Sequence, residues 1–234
     1  MSYLEVHNVN THYGTSHILF DVSLQVNEGE VVCLLGRNGA GKTTTLRTIM
    51  GLARTKEGSV LFNGMEISGR EPYQIARMGM GYVPDERLIF PDLTVRENLE
   101  VAIKEGDNGF NWTVEKVYEL FPKLEELDGN LGGYLSGGEQ QMLTVGRTLM
   151  GNPSLVLLDE PVEGVAPIVV QELSQQIRKL KDMGMTILFA EQNLRFAHQI
   201  SDRAYIIETG RIRFNGTMAE LHKNKKIQQK YLMI

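Results

Sequence analysis

Three short strings hold the residues whose types and spacing could do chemistry. In Gly36-Arg37-Asn38-Gly39-Ala40-Gly41-Lys42-Thr43, followed by Thr44, the glycines let the backbone curl so that successive N–H groups point inward. A helix starting near Lys42 adds the positive end of its dipole, and Lys42 can reach the outer phosphates of a nucleotide. Thr43 offers a hydroxyl to Mg²⁺. The second string, Leu155-Val156-Leu157-Leu158-Asp159-Glu160, reads as a buried strand that delivers two carboxylates at its C-terminal edge, where ligands collect in open α/β sheets. Asp159 suits Mg²⁺, and Glu160 suits a general base that orients and polarises an attacking water. Alone, such an acidic pair can also simply end a strand or cap the next segment. The third string, Leu135-Ser136-Gly137-Gly138-Glu139, puts a hydroxyl and two glycines at a helix start, a second anion-binding terminus. Ser136 and Glu139 also have the spacing of a capping box, and capping can coexist with phosphate contact.

These residues need a scaffold, and the flanking patterns describe one. Leu4 to Val9 and Leu19 to Val26 roughly alternate apolar and polar side chains, as half-buried strands do. Val31 to Leu35 is continuously apolar, as a strand covered on both faces would be, and a P-loop requires such a strand before it. Ser59 to Phe62, the turn Asn63-Gly64, and Met65 to Ile67 predict a hairpin. After Tyr82-Val83-Pro84 the texture turns helical, with expected helices at Thr94 to Ile103, Thr113 to Phe121 and Gly137 to Met150, separated by Gly106 to Asn111 and Asp128 to Tyr134. We read residues 85–152 as a helical lobe inserted in an α/β core made of 1–84 and 153–234. Strands at Leu155 to Leu158, Thr186 to Ala190 and Ala204 to Glu208, with a helix from Val169 to Met183, imply parallel pairing and right-handed crossovers. The basic tail Asn224 to Tyr231 is expected to be helical.

Composition narrows the function classes. A chain of 234 residues with 42% hydrophobic content can bury a real core, and a formal charge of -5 supplies no basic field for nucleic acid. The single cysteine, Cys33, lies in an apolar run and is expected to be a buried core thiol, which suits a reducing compartment. The sequence contains no secretory leader pattern and no apolar run approaching the ~20 residues of a membrane span, so any membrane role is expected to come through partners. Met78, Met80, Met142 and Met150 are read as core fillers.

Taken together, the order of the three strings and the segment Glu160-Pro161-Val162-Glu163-Gly164-Val165-Ala166-Pro167 resembles the ATP-binding subunit of ABC transporters, over essentially the whole chain. The strings then correspond to the Walker A, Walker B and signature motifs. The wording Gly81-Tyr82-Val83-Pro84, Ile89-Phe90-Pro91-Asp92-Leu93-Thr94-Val95, and Glu191-Gln192-Asn193 is most similar to the ATP-binding subunits of branched-chain amino acid importers. The resemblance implies a P-loop α/β fold with a mixed-sheet core, an N-terminal antiparallel β subdomain and a helical lobe. It implies ATP and Mg²⁺ as ligands, and ATP hydrolysis by two such domains packed head to tail, as a homo- or heterodimer. Ser136, Gly137, Gly138 and Glu139 of one subunit would face the γ-phosphate held by Lys42 of the other. Partners would be transmembrane permease subunits and, indirectly, a solute-binding protein. The place would be the cytoplasmic face of the cell membrane, as a peripheral subunit. The alternative, a soluble ABC ATPase acting on nucleic acid or ribosomes, requires a long coiled coil or two such domains in one chain, and a P-loop small-molecule kinase leaves the signature unexplained.

Other positions match the family pattern or depart from it. Tyr13 stands where an aromatic ring stacks on adenine. Asp85 replaces the glutamine of the Q-loop and could face Mg²⁺, or be a surface carboxylate beside Arg87. Gln192 replaces the switch histidine; an amide can donate to the γ-phosphate but cannot titrate near neutral pH. Ala166 replaces an aspartate of the D-loop and removes one polar link across the dimer. Leu88-Ile89-Phe90-Pro91 offers an apolar groove for a helix of the membrane subunit, or an internal staple for the lobe; exposure decides between them.

Overall fold

The structure, a computed structural model, describes residues 2–104 and 110–232. The chain runs β1 (Ser2–Tyr13), β2 (Ser16–Asn27), β3 (Val31–Leu35), α1 (Lys42–Ile49), β4 (Thr55–Phe62), β5 (Met65–Glu66), α2 (Pro72–Arg77) and β6 (Met80–Val83). Helices α3 (Val95–Glu100), α4 (Val114–Leu120) and α5 (Pro122–Glu126), a 3₁₀ turn (Gly132–Tyr134) and α6 (Gly137–Met150) come next. The last third holds β7 (Leu155–Asp159), α7 (Pro167–Asp182), β8 (Thr186–Glu191), α8 (Leu194–Ile200), β9 (Arg203–Glu208), β10 (Arg211–Thr217), α9 (Met218–Lys223) and α10 (Lys225–Leu232).

Two sheets form among the described residues. The larger has the order β10-β9-β3-β8-β7-β6, parallel except for the antiparallel edge strand β10. Its central strands are buried along their whole length, and the pleat explains why they read as continuous apolar runs. Val31, Cys33 and Leu35 of β3, Val156 and Leu158 of β7, and Ile187 and Phe189 of β8 point to one face, where α7 and the helices α3 to α6 cover them. Val32 and Leu34, Leu155 and Leu157, and Leu188 and Ala190 point to the other, against Leu46 and Ile49 of α1 and the second sheet. That sheet, of order β2-β1-β4-β5, is antiparallel and alternates as half-buried strands should. Cys33 is fully buried and free, and burial raises its thiol pKa, as expected of a core thiol. Met80, Met142 and Met150 are buried and Met78 packs partly buried, so they fill core.

The hairpin turn adopts positive φ at both Asn63 (48°) and Gly64 (72°), the geometry that an Asn-Gly turn favours. Of the expected lobe helices, α6 has the expected bounds, while the other two are shorter. Thr94 and Thr113 lie outside α3 and α4 as N-caps, each accepting a backbone N–H, and α3 stops at Glu100. Most of the separator Gly106 to Asn111 lies outside the described residues, and Asp128 to Tyr134 includes the 3₁₀ turn. The tail helix starts at Lys225, one residue later than expected. Helices α2, α5, α8 and α9 and strands β6 and β10 were not anticipated; most are six or seven residues or fewer, too short for a periodicity to show.

This order puts β3, β8 and β7 side by side, so the loops leaving their C-terminal ends open onto one place. Those loops carry Lys42, Glu191 with Gln192, and Asp159 with Glu160.

Candidate active site

The cradle is built on the loop between β3 and α1. Gly41 caps α1 with φ 110°, a left-handed value that only glycine adopts without strain, and no side chain caps the helix. Gly36 is required for space: a Cβ there would lie 2.6 Å from the carbonyl oxygen of Ile207. The loop is tied to the sheet by Gly36 N–H donating to the Glu191 carbonyl at 3.1 Å. The three donors of the Lys42 ammonium are all engaged. They reach the Gly36 carbonyl at 2.9 Å, the Arg37 carbonyl at 3.1 Å and Glu160 Oε1 at 3.0 Å. Lys42 is 3% exposed and Glu160 9%, so this ion pair is close to dry and each charge depends on the other.

Glu160 sits just past β7 with φ 45°, a strained value for a non-glycine residue, and its N–H donates to the Ala190 carbonyl at 3.0 Å. Its second carboxylate oxygen, Oε2, is buried and receives no N–H or hydroxyl bond, and the nearby Glu163 carboxyl has its pKa raised chiefly by its interaction with Glu160. A buried acceptor beside a lysine fits a group that handles a proton. One residue earlier, Asp159 is fully buried and accepts from Thr43 Oγ1 and from the Tyr82 hydroxyl, both at 3.1 Å. Burial pushes its carboxyl up to about 6. A hydroxyl and a buried carboxylate whose ionisation is penalised fit a hard divalent cation, which would favour the ionised form. Among the described residues no three His, Cys, Asp or Glu groups cluster as a metal cage.

The structure brings Lys42, Thr43, Asp159 and Glu160 together, as their sequence contexts imply. Asp85 lies farther out. It is exposed and pairs with Arg47 at 3.8 Å, not with Arg87, and burial raises its pKa. Its charge still reaches Asp159 and raises it. The Gln192 side chain is exposed and borders a groove of about 650 Å³ with His198, His222 and Lys225. Tyr13 ends β1 with its ring half exposed. Ser136 caps α6, its Oγ accepting Glu139 N–H at 3.4 Å while Glu139 Oε2 accepts Ser136 N–H at 2.7 Å, so the capping box is real. Gly138 stands where a Cβ would meet Val169 of α7 at 2.6 Å. Ala166 is the N-cap of α7 and gives it no side-chain cap.

Leu88 and Phe90 are exposed, at 58% and 47%, whereas Ile89 packs on the core. Leu88 lines a groove of about 500 Å³ with Leu52, Tyr82, Pro84, Arg47 and Arg147. The segment is therefore both staple and surface, with Ile89 as the staple.

Sequence reasoning missed Tyr82 and Glu191. Glu191 is 2% exposed and accepts the N–H groups of Gln192 (2.6 Å) and Asn193 (2.5 Å), and burial pushes it up to about 7. An acid ending a wholly apolar strand beside the cradle was the available signal.

Comparisons with known proteins show the family. The pattern of the ABC transporter family matches residues 19–163. The chain is 43% identical over 230 residues to the high-affinity branched-chain amino acid transport ATP-binding protein BraG of Pseudomonas aeruginosa, covering 98% of this chain and 99% of that one. It is also 37% identical to the lipopolysaccharide export system ATP-binding protein LptB of Haemophilus influenzae, covering 99% and 98%. A crystal structure of a nucleotide-free ATP-binding cassette from an ABC transporter superposes with a TM-score of 0.84 at 29% identity, covering 100% of this chain and 99% of that one. With a phosphate cradle, a buried carboxylate pair and these likenesses over its full length, the chain belongs to the ABC transporter family, as one of its ATP-hydrolysing cassettes.

Proposed function

We propose that this cassette powers uptake of branched-chain amino acids or a related small solute, as a peripheral subunit on the cytoplasmic face of the membrane. It pairs with a second ATP-binding subunit and with transmembrane permease subunits, which receive solute from a binding protein. The observation that carries the import reading is the 43% identity to BraG across both whole chains.

In this reading the ATP phosphates enter the cradle made by residues 36–44, and their charge replaces Glu160 as the partner of Lys42. Freed from Lys42, Glu160 is left with two acceptor oxygens for the attacking water. Thr43 and Asp159 would hold Mg²⁺, with Asp85 as a further candidate carboxylate; the ion would neutralise developing charge on the phosphates. Tyr13 stacks on adenine. Gln192 donates to the γ-phosphate without titrating. Ser136, Gly137 and Gly138 of the second subunit close over the same phosphate, with Glu139 holding their helix start in shape. The exposed apolar side chains of Leu88 and Phe90 seat a helix of the permease. Hydrolysis separates the subunits and moves that helix.

The test is to recover the tagged chain from its own membranes and reconstitute the proteins that come with it. The expected result is co-recovery of permease subunits and ATP hydrolysis that rises when a leucine-loaded binding protein is added. Stimulation by lipopolysaccharide instead would replace import with export, and recovery with ribosomes or DNA would refute transport.

A further inference from the structure

One well-placed cation takes no part in that chemistry. Arg87 has φ 49°, a left-handed value disfavoured for a side chain of its size, and such strain persists only where surrounding contacts hold it. Its guanidinium Nη2 donates to the Glu163 carbonyl at 2.7 Å, across 76 residues of chain, and a Cβ at Gly164 would lie 3.6 Å from it. On its other side Nη1 lies so close to Gly137 that a Cβ there would be only 2.6 Å away. One side chain therefore bridges the turn after Glu160 and the first residue of the signature helix α6.

Both ends of this bridge lead to chemistry. The Glu163 N–H donates to the Glu160 carbonyl at 3.0 Å, so the turn fixed by Arg87 is the turn that carries the catalytic carboxylate. Gly137 opens α6, whose N-terminus serves the other nucleotide in a head-to-tail dimer. The root of Arg87 is the groove segment itself: the next residue, Leu88, offers its carbonyl to Arg147 of α6, and the Arg147 guanidinium lies 4.8 Å from the centre of the Phe90 ring.

We propose that Arg87 is a positioning residue that holds the Glu160 turn and the signature helix start in register and ties both to the permease groove. Its role rests on the head-to-tail reading of the dimer. Through it, a shift of the groove reaches the hydrolytic carboxylate of one site and the signature that completes the other. A planar guanidinium suits this task because its rigid fork holds two backbone segments in one fixed geometry, where an ammonium on a flexible stem leaves the geometry loose.

The experiment compares the full-length wild type with Arg87→Ala and Arg87→Lys, each also in a Glu160→Gln background. Three quantities are read: ATP affinity of the monomer, ATP-driven dimerisation and kcat. For Arg87→Ala the expected result is unchanged ATP affinity, dimerisation weakened about 10-fold and kcat lowered about 10- to 100-fold, as a misplaced reacting group costs. Arg87→Lys, with one donor left for the Glu163 carbonyl, is expected to lie between Ala and wild type, and it supplies the answer if the alanine variant does not fold. A kcat and dimerisation within twofold of wild type would overturn the proposal, as would parallel loss of ATP affinity and kcat, the mark of general damage. A wild-type chain that binds ATP and never dimerises would overturn the head-to-tail reading itself, and Arg87's role with it.

Discussion

Two helix starts in this molecule look alike in sequence and differ in how they are finished. Helix α1 begins after Gly41 with no side-chain cap and no acidic residue in its first turn. Helix α6 begins after Ser136 with a complete capping box, and Glu139 sits in its first turn. The first keeps its N–H groups and dipole for a phosphate, with Lys42, Thr43, Asp159 and Glu160 already converged on it. The second satisfies itself and carries a negative charge that offsets its dipole. In the proposed function the contrast separates two jobs: α1 would bind nucleotide within one chain, and α6 would meet nucleotide held by another.

The contrast can be broken from either end. The largest effect is expected at Glu160: Glu160→Gln removes the proposed general base and should cut turnover by about 10²- to 10⁴-fold while ATP still binds, as single-turnover kinetics and a binding titration would show. Retention of near-native hydrolysis would refute its assignment. Lys42→Ala should come next, with loss of ATP affinity measured by titration. It should also cost about 3 to 5 kcal/mol of apo stability, because it leaves Glu160 buried without its partner. Unchanged ATP binding would refute the cradle.

Glu191→Gln sharpens the contrast from the side of the nucleotide site. The folded state raises Glu191 to about 7, above the ordinary carboxyl value of 4.5. The folded protein therefore holds a proton that the unfolded chain releases, and stability is lost as pH rises through that window. An amide keeps an oxygen for the N–H groups of Gln192 and Asn193 and removes the titration. Denaturant unfolding at pH 5 and pH 8 should show the variant gaining on wild type by about 2 to 3 kcal/mol over that interval. The smallest effect is expected at α6 itself. Ser136→Ala should cost about 1 kcal/mol of stability through the lost cap, with monomer ATP affinity unchanged.

The sequence made the first helix start legible because everything it needs is local: strand, glycine loop, lysine and helix fall within residues 31–49. Asp159 and Glu160 were legible for a similar reason, as the end of an apolar strand. The hidden contacts are those between residues distant in the chain. Tyr82 bonds Asp159 across 77 residues and Arg87 bonds Glu163 across 76, and no local pattern announces either. The Lys42 to Glu160 pair was hidden as well, since each residue was read for its role toward nucleotide and not for its partner without one. Short elements such as β6 and α8 were missed because tertiary packing, not periodicity, makes them. The groove was half legible: the apolar types of Leu88 to Phe90 were plain, but which side chain turns inward was decided by the lobe.

The central claim is that ATP bound in the cradle of one chain is closed over by the α6 start of another. The direct measurement is sedimentation of Glu160→Gln with and without Ser136→Ala, over a range of Mg-ATP, with ATP binding followed in parallel. Both are expected to bind ATP equally, and the variant with Ser136 intact is expected to form dimers at lower protein concentration than the double variant. Equal dimerisation by the two, or loss of ATP binding with loss of Ser136, would contradict the claim.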